Sequence, residues 1–243
     1  NKYKDKIDSE KPLTIKNSSG YNVFDSFKNN RIDFAKLLTG SEGTLGIFTE
    51  ITLDVIDAPK NIATAILLFR STIESIESVE EILKTKPSVL ELVDDKLLKL
   101  LTDEDLFIKK IIPSDVKAFL LIEYVESTAE EVKEKLNSLK NTISNCKILT
   151  AEDPKKCEQL WKIRKSAAPI LNRVAGTTRA VRLIEDLCVP VNRLTEFYFA
   201  QKNIFDKYKI NCSFYGHVGS GNIHLDPHID TDRNDLYNLF LDV

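Results

Sequence analysis

The chain has 243 residues, of which 42% are hydrophobic and 29% are charged, and its formal net charge is −3. This composition is ordinary for a globular protein and excludes an intrinsically disordered chain. The small negative charge and the scattered lysines and arginines argue against nucleic-acid binding, which needs a concentrated basic patch. No apolar run approaches the roughly 20 residues that a transmembrane segment requires.

The cysteines give a second exclusion. There are four of them, with no CxxC pair and no spacing typical of a zinc or iron–sulfur site. So few cysteines in a chain of this size argue against a secreted disulfide framework. We therefore expect reduced thiols and a cytoplasmic protein.

The first block of the chain, residues 1–57, is rich in turn residues. Within it a glycine-rich loop at 40–46 leads into residues 47–55, where apolar and polar residues alternate and several are β-branched. This pattern predicts a half-buried strand. Ala58-Pro59 predicts a hinge to a second domain, residues 58–243.

From residue 60 onward, predicted strands and helices alternate. The strands are 62–69, 88–93, 116–125, 146–150 and 180–189, and the helices are 73–84, 94–101, 128–140, one from Pro154, one from Pro190 to about 208 and one from about Arg233. The short links favour a ferredoxin-like antiparallel sheet with helices on one face, so the predicted class is α+β. A parallel arrangement stays open.

All three histidines fall within residues 215–228. His217 and His224 are seven residues apart, and the intervening Gly219 and Gly221 let the backbone turn sharply enough for the two imidazoles to converge. Two neutral nitrogen ligands suit a divalent metal but do not complete its site. From spacing alone, a surface hairpin with solvent-exposed histidines is an equally good interpretation.

A second motif, Gly40-Ser41-Glu42-Gly43-Thr44-Leu45-Gly46-Ile47, lies far from the histidines. It lacks the Gly-Lys-Ser/Thr ending of a P-loop, and no helix follows it directly, so it is neither a P-loop nor a dinucleotide fingerprint. The backbone N–H groups of such a loop suit close approach to a large flat ligand or its phosphates. A tight structural turn is the alternative.

Three segments resemble one family. Leu37–Glu50 resembles the flavin-contacting loop of FAD-linked oxidases of the vanillyl-alcohol-oxidase type, and residues 16–22 resemble the segment that precedes it. Gly216–His224 is similar to the C-terminal histidine motif of the branch with glycolate oxidase flavoprotein subunits, D-lactate dehydrogenases and D-2-hydroxyglutarate dehydrogenases. The resemblance covers essentially the whole chain.

The resemblance implies FAD as cofactor, with residues 1–57 as the tail of a PCMH-type FAD-binding domain and 58–243 as most of the substrate domain. The residues implied to contact FAD are Gly40, Ser41, Glu42, Gly43, Thr44, Gly46 and Ile47. His217 and His224 are implied as ligands of a divalent metal, zinc or manganese. A first FAD subdomain and a Glu-His-Gly motif carrying the base are expected outside this sequence, so this piece alone should be inactive.

The activity implied by the resemblance is the oxidation of a D-2-hydroxy acid. Arg164 is implied to bind the substrate carboxylate, although an exposed arginine on a charged helix is an equally good interpretation. Arg182 is a weaker candidate, because Ile184 falls where a lysine can occur in relatives. Asn222 is expected to cap the turn or to hydrogen-bond near the metal. Ser220 replaces an aspartate common in the motif.

Four further polar residues complete the predictions. His228 has no counterpart in the motif and is expected to be exposed, whereas Asp226 occupies a position that faces substrate in some relatives. Glu185 and Asp186 are adjacent in a predicted strand, so they should point to opposite faces and cannot form a catalytic carboxylate pair.

The resemblance leaves the partners open. The electron acceptor is a quinone, an iron–sulfur partner or a flavoprotein, a homodimer is one option for assembly, and attachment to the periphery of the inner membrane is the alternative to a free cytoplasmic protein. Two rival functions remain. One is another flavin enzyme of the superfamily, against which the histidine spacing argues, and the other is a non-enzymatic metal- or ligand-binding module that kept the fold.

Overall fold

The computed structural model describes residues 3–28, 31–171, 178–180, 184–230 and 232–242. The chain divides into two compact units, Asn1–Ala58 and Pro59–Val243. No helix in the described part of the chain has the length and hydropathy needed to cross a bilayer.

The first unit contains three short helices and a small ribbon: α1 (Lys4–Ser9), α2 (Val23–Ser26), β1 (Phe27–Lys28), β2 (Arg31–Ile32) and α3 (Phe34–Leu38), with β1 and β2 antiparallel. The strand predicted at 47–55 is not formed, and Ile47 and Val55 are 91% and 90% exposed. A strand is stabilised by cross-strand pairs. No described strand lies beside this segment, so its alternating pattern has no surface to pack on.

The second unit is built on one antiparallel sheet. Its strands are β3 (Asn61–Phe69), β4 (Val89–Val93), β5 (Ala118–Glu126), β6 (Lys147–Ala151), β7 (Thr178–Ala180), β8 (Ile184–Cys188), β9 (Asn211–Gly216) and β10 (Asn222–Asp230). The strand order is β6-β3-β5-β4-β9-β10, and both β7 and β8 pair with the outer edge of β10. The predicted α+β class and antiparallel sheet are confirmed.

The helices of the second unit follow the predicted order, but one predicted helix is divided, and two short helices, Leu106–Ile111 and Ala167–Leu171, were not predicted. They are α4 (Thr72–Glu77), α5 (Val79–Leu83), α6 (Asp95–Glu104), α7 (Leu106–Ile111), α8 (Ala129–Thr142), α9 (Pro154–Lys165), α10 (Ala167–Leu171), α11 (Leu194–Lys207) and α12 (Leu236–Asp242). The helix predicted at 73–84 is divided at Ser78 into α4 and α5. Helix α7 was not predicted, and it begins after Asp105, whose side chain accepts hydrogen bonds from Phe107 N and Ile108 N.

The helices lie on both faces of the sheet, which corrects the expectation of one face. Ile66 and Leu67 are adjacent on β3 and point to opposite sides, and each is fully buried. Leu67 belongs to a core formed with α4, α5, α8 and α11, and Ile66 to a core formed with α6, α7, α9 and α10. The continuous apolar run of β3 is the sequence signature of a strand covered on both faces.

Side-chain caps set the start of two helices of the second unit. In α9, Asp153 accepts from Lys156 N, and Pro154 occupies the first turn, where no N–H partner is needed. In α8, Thr128 and Glu131 form a reciprocal capping box. Helix α9 carries Arg164, so its cap helps to set the position of that guanidinium along the sheet.

Asp94 joins the start of α6 to the strand that leads into the histidine motif. Its carboxylate is buried and accepts from Leu97 N at 2.9 Å and from Phe214 N, on β9, at 2.8 Å. Burial raises the pKa of Asp94 to about 8, outweighing these two backbone donors. The carboxyl group therefore keeps its proton in the folded protein under conditions where the unfolded chain has released it.

We expect this group to make the protein less stable as pH rises. The unfolded carboxyl ionises near its ordinary pKa of 3.8 and the folded one near 8, so the unfolded state holds fewer protons in between. Denaturant unfolding from pH 5 to 8 should show a loss of up to about 1.4 kcal/mol per pH unit from this group. Asp94→Asn removes the titration, so its profile should be flatter. Parallel profiles for the two proteins would contradict this.

Candidate functional site

The two histidines of the motif lie on a tight connection between β9 and β10. His217 follows Gly216 directly, and a 3-10 turn, Val218–Ser220, leads to Gly221 and β10. Gly216 and Gly221 have φ values of +137° and +71°, and a Cβ on Gly221 would lie 1.9 Å from a backbone oxygen of Val189. Only glycine fits these two positions, so the motif's glycines serve the turn.

This connection brings His217 and His224 together. Their ring centroids are 5.3 Å apart, and the ring planes are inclined by 78°. Two imidazoles on one tetrahedral zinc ion at the usual Zn–N distance would have centroids about 5 Å apart. The pair therefore has the chemistry and spacing of two metal ligands. The described residues nevertheless contain no group of three or more His, Cys, Asp or Glu that could hold a metal ion.

Glu91, on β4, links His217 to Arg164. One carboxylate oxygen contacts Nδ1 of His217. The other accepts a hydrogen bond from Nε of Arg164 at 3.0 Å and lies 2.9 Å from a terminal nitrogen of the same guanidinium. The side chains of Glu91 and Arg164 are 5% and 12% exposed. Arg164 is therefore a buried member of the site, and the interpretation as an exposed arginine is not what the structure shows.

The charge state of Glu91 follows from these contacts. Burial alone would raise the pKa of Glu91, but the hydrogen bond with His217 and the charge of Arg164 outweigh it and hold the pKa below its ordinary value of 4.5. Glu91 is therefore an ionised, acceptor-only group at neutral pH.

Tyr215 completes a closed ring of contacts. The Arg164 guanidinium lies 5.0 Å from the centre of its ring, and the centroid of the His224 ring lies 5.1 Å from it on a tilted plane. The Tyr215 hydroxyl donates to the buried carboxylate of Asp226 at 2.7 Å. We call Glu91, Arg164, Tyr215, His217 and His224 the Arg–His cluster.

Asp186 contacts the other histidine. Its carboxylate lies 3.1 Å from Nδ1 of His224, and the two side chains are 68% and 19% exposed. Burial lowers the pKa of His224 below its ordinary value of 6.5, and the charge of Asp186 opposes this only in part. The imidazole is therefore neutral at neutral pH, which is the form that binds metal ions.

In the first unit, the glycine loop contacts the segment that precedes it in the sequence motif. Tyr21 and Thr44 share a hydrogen bond of 2.9 Å between their hydroxyl groups. Gly40 and Gly43 have φ values of +78° and +77°. The hydroxyl of Ser41 is buried and has no hydrogen-bond partner among the described residues. An unsatisfied hydroxyl in a loop with left-handed turns is suited to a polar ligand.

Comparison with known proteins identifies the family. Residues 58–242 match the family described as FAD linked oxidases, C-terminal domain. The chain belongs to this family. The resemblance drawn from the three sequence motifs is thereby confirmed, and with it an enzyme family that acts through a flavin.

FAD-linked enzymes of 2-hydroxy acids are among its curated relatives. Glycolate oxidase subunit GlcD of Bacillus subtilis is 31% identical over 82% of this chain and 42% of its own length. D-lactate dehydrogenase of Anaerostipes hadrus is 26% identical over 86% of this chain and 43% of its own. D-2-hydroxyglutarate dehydrogenase of Haemophilus influenzae is 22% identical over 91% of this chain and 23% of its own. The chain thus spans less than half the length of these relatives.

Solved structures of a synthase and of an oxidase share the fold. An alkyldihydroxyacetonephosphate synthase superposes with a TM-score of 0.57 at 15% identity, over 89% of this chain and 44% of that one. A 4-ethylphenol oxidase from Gulosibacter chungangensis superposes with a TM-score of 0.54 at 10% identity, over 77% of this chain and 43% of that one. At these identities the likeness concerns the fold alone.

The remaining predicted residues of this FAD-linked oxidase domain lie apart from the Arg–His cluster or outside the described residues. Asn222 is 5% exposed, and its amide donates to Leu187 O at 3.3 Å, which ties β10 to β8. Arg182 lies outside the described residues. His228 is half-buried rather than exposed, and its Nε2 has no partner among the described residues. Burial lowers the pKa of His228 below its ordinary value of 6.5.

Sequence reasoning missed Glu91, Tyr215 and the role of Asp186. Glu91 is the acidic residue in Val-Leu-Glu-Leu-Val, a run that is otherwise apolar. A charged residue in a strand covered on both faces must find a partner, so this position carried a signal. No pattern in the sequence indicates that the side chains paired with Glu91 are Arg164 and His217.

Proposed function

We propose that this protein is an FAD-dependent dehydrogenase of a D-2-hydroxy acid, such as D-lactate, glycolate or D-2-hydroxyglutarate. The observation that carries the proposal is the Arg–His cluster, where a buried guanidinium and two imidazoles lie within one ring of contacts. An anion-binding group beside two metal-ligand side chains suits a substrate with a carboxylate and a neighbouring hydroxyl.

Arg164 is proposed to bind the substrate carboxylate. Its contacts with Glu91 use Nε and one terminal nitrogen, so further N–H donors of the fork remain for a second anion. The Tyr215 ring beside the guanidinium limits its movement. A planar cation held on two sides loses little entropy when it binds a carboxylate, which aligns the substrate for reaction.

His217 and His224 are proposed to hold a divalent metal, zinc or manganese, beside this carboxylate site. When bound, FAD accepts the hydride from the substrate Cα, and the metal orients and polarises the hydroxyl group. The reaction would transfer a hydride from Cα to FAD and the hydroxyl proton to a base, and it would leave a 2-oxo acid. The protein's own residues would bind the carboxylate, place the two imidazoles side by side and set the orientation of the substrate.

The flavin contacts and the partners remain part of the proposal. Residues 1–57 are proposed to be the end of the FAD-binding domain, with contacts from Gly40, Ser41, Glu42, Gly43, Thr44, Gly46 and Ile47. Arg182 and Asn222 are proposed as secondary substrate-site residues. The electron acceptor and a homodimeric assembly stay predictions.

The test is anaerobic reduction of the flavin in the full-length protein. The purified holoenzyme is mixed with the D and L forms of lactate and 2-hydroxyglutarate and with glycolate, and flavin absorbance is followed over time. We expect one acid to bleach the flavin within seconds. If that acid is D-lactate or D-2-hydroxyglutarate, its L form should act at least about 100-fold more slowly, because a carboxylate clamp and a metal hold the Cα hydrogen of only one enantiomer in line.

A matched sample treated with a chelator tests the metal. We expect its bleaching rate to fall, and to recover when Zn²⁺ or Mn²⁺ is added. A flavin that ignores every acid would contradict the proposed function and favour a non-enzymatic binding module. If the flavin is reduced equally fast with and without the chelator, the protein is still a dehydrogenase, but the proposed role of the metal is wrong.

A further inference from the structure

Both histidines of the Arg–His cluster contact a carboxylate through the same ring atom. Nδ1 of His217 contacts Glu91, and Nδ1 of His224 lies 3.1 Å from Asp186. Glu91 is a hydrogen-bond partner of Nδ1 of His217, and the Asp186 carboxylate lies beside Nδ1 of His224 as an ion-pair contact. A carboxylate beside a neutral ring favours the proton on Nδ1 and leaves the lone pair on Nε2. Both rings are thereby presented as Nε2 ligands, the arrangement in which a carboxylate orients a metal-binding histidine.

The carboxylate of Glu91 is held rigidly. It is 5% exposed, and the oxygen that does not contact His217 accepts a hydrogen bond from Nε of Arg164 and lies 2.9 Å from a terminal nitrogen of the same guanidinium. The carboxylate cannot rotate to exchange its two oxygens, and water cannot replace either contact, without breaking the ion pair with Arg164. The orientation of the His217 ring is thus tied to the position of the guanidinium.

The carboxylate of Asp186 reaches His224 because the strand pairing is irregular there. Leu187 pairs with Ile223 and Ile184 with Leu225, so residues 185 and 186 both lie opposite His224. This is a β-bulge, and Asp186 occupies it with φ of +61°. A bulge re-aims the side chain it carries, and aspartate is one of the few residues other than glycine that tolerate a left-handed backbone.

We propose that Glu91 and Asp186 are positioning residues for the histidine pair, each setting the Nδ1–H tautomer so that Nε2 of both rings is free to bind a divalent metal. This inference rests on the proposed metal-assisted function. The two residues contribute unequally, because Glu91 is buried and held by Arg164 whereas Asp186 is 68% exposed. Water can replace much of what Asp186 supplies.

The tautomers can be read directly. The full-length holoenzyme is labelled with ¹⁵N-histidine, stripped of metal with a chelator, and studied by long-range ¹H–¹⁵N NMR, with signals assigned from single His→Ala variants. We expect His217 and His224 as Nδ1–H tautomers in the wild-type protein. Glu91→Gln should move His217 towards the Nε2–H tautomer, because the amide must keep its oxygen towards Arg164 and turns its NH₂ to the ring.

Zn²⁺ titration of the same metal-free samples gives a second readout. Glu91→Gln is expected to weaken Zn²⁺ binding by about 10- to 100-fold, and Asp186→Asn by less. Glu123→Gln is the matched control, because Glu123 accepts from Trp161 on the same helix as Arg164 at 2.6 Å. It should leave tautomers and Zn²⁺ affinity unchanged.

The outcomes separate this inference from the proposed function. Nε2–H tautomers in the metal-free wild-type protein, or unchanged Zn²⁺ affinity in Glu91→Gln, would overturn it. The tautomers of the wild-type protein are measured without Glu91→Gln, and Asp186→Asn changes an exposed side chain. A folding defect in Glu91→Gln therefore cannot conceal the answer. Expected tautomers in a protein whose flavin ignores every 2-hydroxy acid would sustain the positioning role and refute the dehydrogenase.

Discussion

Alanine at His217 or at His224 is expected to lower kcat/KM for the 2-hydroxy acid by about 1,000-fold, because either change removes a proposed metal ligand and with it several kcal/mol of charge stabilisation. The two rings are 5.3 Å apart, so neither can take over the contacts of the other. Steady-state kinetics of the holoenzyme and its metal content after dialysis would measure both effects.

His228→Ala is the matched control for these substitutions. His228 lies four residues after His224 on β10, so both side chains belong to the same face of the strand. His228 is half-buried, like His224, and its replacement by alanine removes the same imidazole group. We expect kcat/KM within about 2-fold of wild type and unchanged metal content. Equal losses in His224→Ala and His228→Ala would mean that the histidines serve the strand rather than a metal.

Much of the fold could be predicted because its signals are local. The apolar run of β3, the capping box at Thr128 and the proline at the start of α9 each depend on a few neighbouring residues. Residues 47–55 show the limit of this reasoning. Their alternation is a genuine strand pattern, but a strand also needs a partner, and pairing is a non-local property.

In the candidate site, too, the local contacts could be predicted from the sequence and the non-local contacts could not. The approach of His217 and His224 follows from seven residues of sequence and two glycines in left-handed turns. Glu91 is separated from His217 by 126 positions and from Arg164 by 73, so no local pattern joins them. The contact of Asp186 with His224 depends on a one-residue bulge, and an unbroken strand would have directed that carboxylate elsewhere.

Arg164→Met is expected to destabilise the protein by about 3–5 kcal/mol, because it leaves the carboxylate of Glu91 buried without its cation. Methionine keeps most of the volume, so loss of packing contributes little. Arg193→Met is the matched control: its partner Glu196 is exposed, and a surface ion pair adds little to stability. Denaturant unfolding of both variants measures the difference. Equal stability losses would contradict a special role for the buried pair.

The double variant Arg164→Met/Glu91→Leu separates fold from function. Replacing a whole buried ion pair by apolar groups is often neutral, so we expect most of the lost stability to return. Activity should not return, because the substrate carboxylate still lacks its guanidinium, and kcat/KM should stay at least about 100-fold below wild type. Arg164→Lys should also remain impaired, since an ammonium group cannot bind Glu91 and a substrate in one plane. A double variant that regained activity with stability would show that Arg164 serves only the fold, and the carboxylate site would then have to lie elsewhere.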